Sequence, residues 1–263
     1  MIDARQAAYL HALGVDVYVP RDGGTSHASA APAPELPLQQ PSTAAPRPVV
    51  ATGESDLVPA PAAEEDCGVL DWTALRAAVA ACQRCELHQT RTQAVFGVGH
   101  PQARWMFIGE APGQEEDRQG EPFVGRAGLL LNAMIRALGM RREDVFIANV
   151  LKCRPPGNRD PRPAEAASCR RFLERQVELV DPTLVIAVGR IAAQDLLATE
   201  TPIAKLRGKV HAFGSRSWPL IVTYHPAYLL RSPAEKRKAW ADLLQARQLY
   251  ARLERERAGA GTA

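Results

Sequence analysis

Four cysteines have the spacing that a metal or cluster site requires. Cys82 and Cys85 form a Cys-x-x-Cys pair, Cys153 follows much later in the chain, and Cys169 comes 16 residues after Cys153. Two close and two distant thiolates can hold either a structural zinc ion or a [4Fe–4S] cluster, and the residues alone leave both open. No redox-partner motif accompanies them, so we predict a structural site. Cys67 is predicted to be a free thiol.

Three polar side chains that could bind or transform a ligand lie at the ends of apolar runs. Glu110 and His225 follow two such runs, and Asn149 lies near the end of another. The runs predict four buried strands, over residues 105–108, 145–150, 184–188 and 220–223. Ligands of open α/β sheets bind outside the carboxyl ends of the strands. Turn formation would explain the neighbouring glycines and prolines, but not why these three side chains share one end.

Helical patterns separate the predicted strands. Asp71 is expected to cap the first helix, and Gly139 to stop the second. The predicted helices cover residues 71–81, 127–138, 163–180 and 191–198, and a last one begins at Ser232-Pro233-Ala234-Glu235, a capping-box sequence with proline at the first helical position. This alternation predicts an α/β fold with a parallel sheet covered on both faces.

Charge is distributed unevenly along the chain. Residues 1–21 are predicted to contain a short helix, and residues 22–66 a Pro/Ala-rich, disordered acidic tether that buries too little apolar surface to fold. Residues 1–66 carry three basic and nine acidic side chains, whereas residues 67–263 carry 29 and 20, a net charge of +9. A basic folded region suits a nucleic-acid partner, although ordinary solubilising charge would look the same.

The sequence favours an intracellular protein. No run approaches the roughly 20 apolar residues that a membrane helix needs. The start of the chain lacks the basic and apolar stretches of a secretory signal. We therefore expect a cytoplasmic protein with reduced thiols and no membrane partner.

Four motifs occur in a characteristic order, and the chain resembles the family 4 uracil-DNA glycosylases over about residues 70–250. The motifs are Gly109-Glu-Ala-Pro-Gly113, Glu121-Pro-Phe-Val-Gly-Arg126, Asn149-Val-Leu-Lys-Cys-Arg-Pro155 and His225-Pro-Ala-Tyr-Leu-Leu-Arg231. The cysteine spacing matches that family too. The resemblance implies a three-layer α/β/α domain over residues 67–255, with a mostly parallel four-stranded sheet. It also implies a [4Fe–4S] cluster on Cys82, Cys85, Cys153 and Cys169. Residues 256–263 are predicted to form a disordered tail.

The resemblance implies removal of uracil from single- or double-stranded DNA. The base would flip out of the helix and its N-glycosidic bond would be hydrolysed, leaving an abasic site for base excision repair. His225 would stabilise the charge that develops on uracil O2, and Asn149 would recognise O4 and N3–H. Phe123 would stack on the base. Glu110 would position water, shape the pocket or stabilise the cationic sugar.

Further residues are assigned from the same motifs. The main chain of Ala111 and Gly113 is expected to line the uracil pocket. Ala111 stands where many members of the wider superfamily carry a water-orienting Asp, and family 4 has a small residue there too. Phosphate contacts are predicted for Arg126, Lys152, Arg154 and Arg159, whereas Lys205, Arg207 and Lys209 either meet phosphates or lie on a solvated face. Arg231 is predicted to bind DNA by filling the gap left by the flipped base or by widening the minor groove. Glu115, Glu116 and Asp117 are predicted to form a solvated acidic turn.

Two other functions fit parts of the sequence. A related class is thought to trap the abasic sugar covalently through a histidine on a Lys/Arg-rich insert, and the stretch Gly120-Glu-Pro-Phe-Val-Gly contains no such insert. A non-catalytic iron–sulfur or zinc DNA-binding module fits the composition and the cysteines equally well. It does not require Glu110, Asn149 and His225 together. We expect a monomer, because an enzyme that scans a duplex needs no symmetry partner.

Overall fold

A six-stranded mixed sheet forms the centre of the part of the chain that the computed structural model describes, residues 67–260. The strands are β1 (Val98–Gly99), β2 (Trp105–Gly109), β3 (Phe146–Asn149), β4 (Leu184–Val188), β5 (Val210–Phe213) and β6 (Trp218–Thr223), in the spatial order β1-β3-β2-β4-β6-β5. The central pairs β3–β2, β2–β4 and β4–β6 are parallel, and both edge pairs are antiparallel.

The predicted α/β fold is confirmed, but the predicted number of strands is wrong. The four predicted strands are the four central parallel ones, whereas β1 and β5 were not predicted. Strand β1 has only two residues, and Val210 at the start of β5 is half exposed. Short or solvated edge strands lack the continuous apolar run that signals a buried strand.

Helices cover both faces of the sheet. They are α1 (Trp72–Ala81), α2 (Gln114–Gln119), α3 (Arg126–Ala137), α4 (Pro163–Val180), α5 (Arg190–Leu196), α6 (Ile203–Leu206), α7 (Pro226–Arg231) and α8 (Lys236–Ala260). Short 3-10 turns lie at Cys67–Val69, Glu86–Gln89, Arg142–Asp144, Pro156–Asn158 and Pro233–Glu235. None of the helices within residues 67–260 combines the length and apolar character that a bilayer-spanning segment needs.

Alternate side chains of each strand enter two separate cores. Met106 and Ile108 of β2 belong to the core formed with α1, α4 and α5. Phe107 belongs to the core that includes Leu131 of α3 and Leu249 of α8. This period-two alternation is what a sheet covered on both sides requires, and it gives the three layers that were expected.

Helix boundaries agree with the sequence prediction at most positions. Asp71 caps α1 by accepting a hydrogen bond from the Ala74 N–H at 2.8 Å. The segment after Ser232 differs, because Ser232 precedes a 3-10 turn and its side chain makes no capping bond. Helix α8 then continues to Ala260, so residues 256–260, predicted as part of a tail, are helical. Residues 261–263, the helix predicted over 1–21 and the tether predicted over 22–66 lie outside the described residues.

Candidate active site

The carboxyl ends of the central strands bring the predicted chemical residues to one edge of the sheet. Asn149 ends β3 and is paired in register with Gly109, the last residue of β2, so Glu110 follows immediately beside it. At the end of β4, the Gly189 N–H donates to the Thr223 carbonyl of β6 at 2.9 Å. His225 comes two residues later. Parallel pairing therefore converts distant positions in the sequence into neighbours.

These residues line a single cleft of about 890 Å³. All six residues predicted to contact uracil line it, namely Glu110, Ala111, Gly113, Phe123, Asn149 and His225. Arg126 and Arg231 also line the cleft. Arg154 is not among the lining residues, and its Nε donates instead to Oδ1 of Asn158, which does line the cleft.

Phe123 and Asn149 meet at Gly109. A Cβ atom at Gly109 would lie 2.5 Å from Asn149 Oδ1 and 2.6 Å from Phe123 Cζ, so only glycine lets both side chains pack at this point. The Phe123 ring also lies 5.5 Å from the His225 ring, centroid to centroid, with 31° between the ring planes. The Asn149 amide, the Phe123 phenyl ring and the His225 imidazole thus form one wall of the cleft.

The loop that carries Phe123 is held by two charged side chains. Phe123 has a φ of +55°, an unfavourable value for a residue with a bulky side chain. Glu116 accepts hydrogen bonds from the N–H groups of Val124 at 2.9 Å and Gly125 at 3.1 Å, and from Gly113 at 3.1 Å. Arg142 donates to the carbonyl of Pro122 at 2.5 Å from the other side. The first two sequence motifs are therefore joined through Glu116.

His225 is held as a neutral imidazole. Burial, followed by the positive charge of Arg231, lowers the pKa of His225 to about 4, and Glu116 opposes this shift. Its Nδ1 accepts a hydrogen bond from the Ala227 N–H at 3.1 Å, which places the ring proton on Nε2. The close contact with Gly189, whose φ is +101°, leaves no room for a larger residue behind the ring. His225 can therefore donate one hydrogen bond into the cleft without carrying charge.

Glu110 titrates in an unusual range. Burial and the neighbouring Asp160 carboxylate raise the pKa of Glu110 to about 7, and Arg190 acts in the opposite direction. Arg190 and Asp160 form an ion pair at 2.7 Å, and both line the cleft. A carboxyl group with such a pKa can be protonated or ionised near neutral pH, which suits a proton-transfer or water-binding role.

The four predicted ligand cysteines surround a second, small cavity. Cys82, Cys85, Cys153 and Cys169 all line it. Two N–H groups already point at the sulfurs, since Arg91 Nη1 lies 3.0 Å from Cys153 Sγ and the Lys152 main-chain N lies 3.3 Å from Cys169 Sγ. No group of three or more His, Cys, Asp or Glu side chains within residues 67–260 is arranged to hold a metal ion as it stands. Four thiols around one cavity, with N–H donors to sulfur, fit the donor set of an iron–sulfur cluster.

Comparison with known proteins identifies the family. The model of the uracil DNA glycosylase superfamily matches residues 96–244. A type-4 uracil-DNA glycosylase of Archaeoglobus fulgidus is 47% identical over 161 residues, covering 59% of this chain and 81% of that protein. Type-4 uracil-DNA glycosylases of Thermotoga maritima and Sulfurisphaera tokodaii are 46% and 42% identical, covering 57% and 65% of this chain and 79% and 81% of their own lengths.

The chain belongs to the uracil DNA glycosylase superfamily. Its similarity to several type-4 members confirms the family that the four motifs indicated. The matched region includes every strand of the sheet and all the residues that line the cleft. The cleft therefore lies entirely within the part of the chain that matches the superfamily.

The phosphate contact predicted for Lys152 of this superfamily member is wrong. Lys152 was expected to meet phosphate, but it is 1% exposed and donates to Asn149 O and Gln176 Oε1. Arg207 is likewise engaged internally, by the buried Asp242 at 2.7 Å. Arg159 lines the cleft and is paired with Glu165, so its phosphate contact stays a prediction. A side chain's charge shows that it needs a partner, but the sequence does not show whether the partner is solvent, DNA or the protein.

The solvated turn predicted for the acidic segment after the first motif is also wrong. Residues 114–119 form α2. Asp117 is buried, and its carboxylate is satisfied there by hydrogen bonds from the N–H groups of Thr92 and Gln93. Glu116 supports the Phe123 loop. The signal that could have revealed this was Gly113 followed three residues later by a glutamate, which is the spacing of a capping box.

Proposed function

We propose that this protein is a uracil-DNA glycosylase that hydrolyses the N-glycosidic bond of uracil in DNA and leaves an abasic site for base excision repair. The observation that carries the proposal is the single cleft in which an amide, an aromatic face and a neutral imidazole converge. The similar proteins named above are type-4 uracil-DNA glycosylases, which supports the same reaction.

Asn149 and Phe123 would recognise the flipped base. The Asn149 side chain is 2% exposed, and no hydrogen bond to another side chain or to the main chain occupies it within the described residues. Its amide can donate to uracil O4 and accept from N3–H, whereas cytosine offers an amine and a bare ring nitrogen at those positions. The Phe123 ring beside it offers a stacking surface, worth roughly 1–3 kcal/mol per base.

His225 would help the base to leave. As the glycosidic bond stretches, negative charge moves onto uracil, and the Nε2–H of a neutral imidazole can donate to O2 as that charge grows. Such a donor stabilises the transition state more than the ground state, which is the requirement for catalysis. The hydrogen bond from Ala227 N–H to Nδ1 would fix the ring in the orientation that this role demands.

Glu110 would act on the sugar side of the bond. In its ionised form it can bind the attacking water or stabilise the cationic sugar. The next residue, Ala111, stands where many superfamily members carry a water-orienting Asp, so no second carboxylate is present at that position. The Asp160–Arg190 pair would tune its charge. Glu110 and His225 are therefore the two proposed catalytic residues.

Basic side chains at the cleft would hold the DNA. Arg126 and Arg231 are exposed and line the cleft. Arg154 does not line it, but donates a hydrogen bond to Asn158, which does. Guanidinium groups in these positions would contact phosphates on either side of the flipped nucleotide. Uracil-containing DNA, single- or double-stranded, is thus the proposed partner, and the monomeric state and cytoplasmic location inferred from the sequence remain predictions.

Cys82, Cys85, Cys153 and Cys169 would hold a [4Fe–4S] cluster. They come from the segment after α1, the segment after β3, and α4, so a bound cluster would clamp these three parts of the chain together. The four cysteines lie in a separate cavity from the cleft, and none of them lines the cleft. We therefore assign the cluster a structural role, with no step of the hydrolysis passing through it.

A uracil-release assay tests the proposal. The purified protein is incubated with a fluorescent strand containing one uracil, or with matched thymine and cytosine strands, and alkali then breaks any abasic site. We expect breakage in the uracil strand alone. A parallel preparation of the His225→Ala variant guards against a contaminating glycosylase. No breakage by a protein that binds the same strand would contradict the proposed function.

A further inference from the structure

Lys152 is a buried cation that the reaction proposed above does not use. Its side chain is 1% exposed, and its ammonium group donates to the Asn149 carbonyl at 2.7 Å and to Gln176 Oε1 at 2.6 Å. Gln176 is itself fully buried and donates through Nε2 to the Phe96 carbonyl at 2.8 Å. The ammonium is therefore fixed between the end of β3 and helix α4.

The main chain of Lys152 contacts the cysteine cage, the set of Cys82, Cys85, Cys153 and Cys169 around the second cavity. Its N–H points at Cys169 Sγ at 3.3 Å, and the next residue is Cys153, whose sulfur accepts from Arg91. Lys152 thus contacts a sulfur of the cage with its main chain, and the carbonyl of Asn149 at the end of β3 with its side chain. Because Lys152 is buried, it cannot reach DNA.

Burial of an ammonium group is costly, so this arrangement needs a reason. An apolar side chain of similar length would fill the same space without the desolvation penalty. What only a buried cation supplies is a strong, charge-assisted hydrogen bond to a carbonyl and a positive charge beside the sulfurs of an anionic cluster. Both point to a link between the two cavities.

We propose that Lys152 is a positioning residue that fixes the Asn149 amide in the cleft by tying the end of β3 to the cysteine cage. The inference rests on the proposed function, because it assigns Lys152 a task in uracil recognition. Lys152 would act through Asn149 alone and would touch neither uracil nor DNA. A misplacement of the amide by even a fraction of an ångström would weaken both of its hydrogen bonds to the base.

A double-mutant cycle separates this role from a merely structural one. Lys152→Met removes the ammonium and keeps the volume, and it is compared in wild-type and Asn149→Ala backgrounds, with the exposed Lys236→Met as the matched control. Three quantities are measured: iron per chain, single-turnover uracil release, and the ratio of Kd values for a cytosine strand and a strand carrying 2′-fluoro-2′-deoxyuridine, which resists cleavage.

We expect Lys152→Met to retain its iron, to slow uracil release roughly 10- to 100-fold, and to lose most of the preference for the fluorinated uracil strand. In the Asn149→Ala background the same change should have no further effect on either quantity. Lys236→Met should match the wild type throughout.

Equal losses in both backgrounds, or a loss of release that merely follows a loss of iron, would overturn the proposal. If Lys152→Met does not fold, Gln176→Leu takes its place in the cycle, because it keeps the ammonium group but removes its side-chain acceptor. If Gln176→Leu still slows release in the Asn149→Ala background, the proposal is overturned. A wild-type protein that neither releases uracil nor prefers it would instead refute the proposed function, and the release rate and Kd ratio of the wild type reveal that outcome.

Discussion

At the scale of single residues, His225 shows how burial selects a protonation state. The ring is held neutral because burial and Arg231 lower its pKa to about 4. We expect His225→Ala to slow uracil release by about 10²- to 10³-fold, the usual effect of removing one preorganised donor from a transition state. The single-turnover rate and the Kd for a 2′-fluoro-2′-deoxyuridine strand are measured together.

The binding measurement decides what the histidine does. A leaving-group donor acts mainly as charge develops, so the Kd of His225→Ala should change by only a few-fold at most. The exposed His100→Ala serves as the matched control and should behave as wild type. If the release rate falls and the Kd rises by the same factor, His225 binds the base and does not assist its departure.

Glu110 predicts a pH dependence at the same scale. Its pKa is raised to about 7 by burial and by Asp160, so it is protonated below that pH and ionised above it. If the carboxylate is the active form, uracil release should rise about tenfold per pH unit below pH 7 and level off above it. His225, with a pKa of about 4, stays neutral over this range and therefore adds no second titration to the pH–rate profile.

The Glu110→Gln variant tests that assignment. The amide has no titrating proton, so its rate should be lower and independent of pH between about 5 and 8. Asp160→Asn removes a neighbouring negative charge and should move the wild-type midpoint to lower pH. A Glu110→Gln protein that keeps the wild-type profile would show that another group carries the titration.

At the scale of elements, the end of β2 controls the shape of the pocket. Gly109 accommodates Asn149 and Phe123 within contact distance, and a methyl group there would overlap both. We expect Gly109→Ala to fold but to slow uracil release by roughly 10- to 100-fold, because both side chains must shift. Circular dichroism melting and single-turnover release measure the two effects separately.

Gly259→Ala is the control for that substitution. A Cβ at Gly259 would meet nothing within 4 Å, so this variant should keep the wild-type rate and melt at or slightly above the wild-type temperature, because Ala favours a helix more than Gly does. Wild-type release by Gly109→Ala would mean that the neighbours of Gly109 can give way without cost. The Asn149 and Phe123 positions would then be less demanding than the packing suggests.

The elements that the sequence predicts best are those with continuous apolar runs. The central strand predicted over residues 184–188 coincides with β4 because every side chain in it is buried. The same reasoning could not find β1 or β5, whose residues are few or partly solvated. Edge strands are held by pairing with a neighbour, a property of the fold and not of their own composition.

The sequence predicts the residues that line the cleft, but not the residues that hold them in place. The motifs assign roles to Asn149, Phe123 and His225, whereas Lys152 showed only a charge and Glu116 only a charge at capping-box spacing. Their partners are main-chain groups and side chains up to 24 residues away, and such pairings exist only after the chain has folded. Sequence patterns therefore indicate what touches the ligand more readily than what holds those residues in place.

At the scale of the whole molecule, the cysteine cage should contribute to stability beyond its own neighbourhood. It joins the segment after α1, the end of β3 and α4. We expect Cys153→Ala to lose its iron and brown colour and to melt at least roughly 10 °C lower, since each kcal/mol corresponds to about 2–4 °C in a domain of this size. Iron content, visible absorbance and thermal melting provide the measurements.

The fifth cysteine supplies the control. Cys67 is also buried and contacts Arg171, but it does not line the cage. Cys67→Ala should therefore keep the full iron content and colour, with only the modest loss of stability that a small cavity causes. A colourless Cys153→Ala protein that melts like the wild type would show that the clamp is dispensable for the fold.

The charge of the whole molecule predicts how DNA binding responds to salt. Residues 67–263 carry a net charge of +9, and exposed Arg126 and Arg231 line the cleft. Each arginine that neutralises a phosphate releases condensed counterions, so Arg126→Gln and Arg231→Gln should each reduce the slope of log affinity against log salt by about 0.9 on duplex DNA. Affinity should fall alike on uracil and thymine strands.

Arg216 offers a matched exposed arginine at the opposite edge of the sheet. It pairs with Asp181, which follows α4 and precedes the amino end of β4. Because DNA that enters the cleft cannot reach that edge, Arg216→Gln should leave the salt slope unchanged, as measured by fluorescence anisotropy over a series of salt concentrations. Equal reductions for all three variants would mean that the protein attracts DNA by its overall charge, with no phosphate held at the cleft.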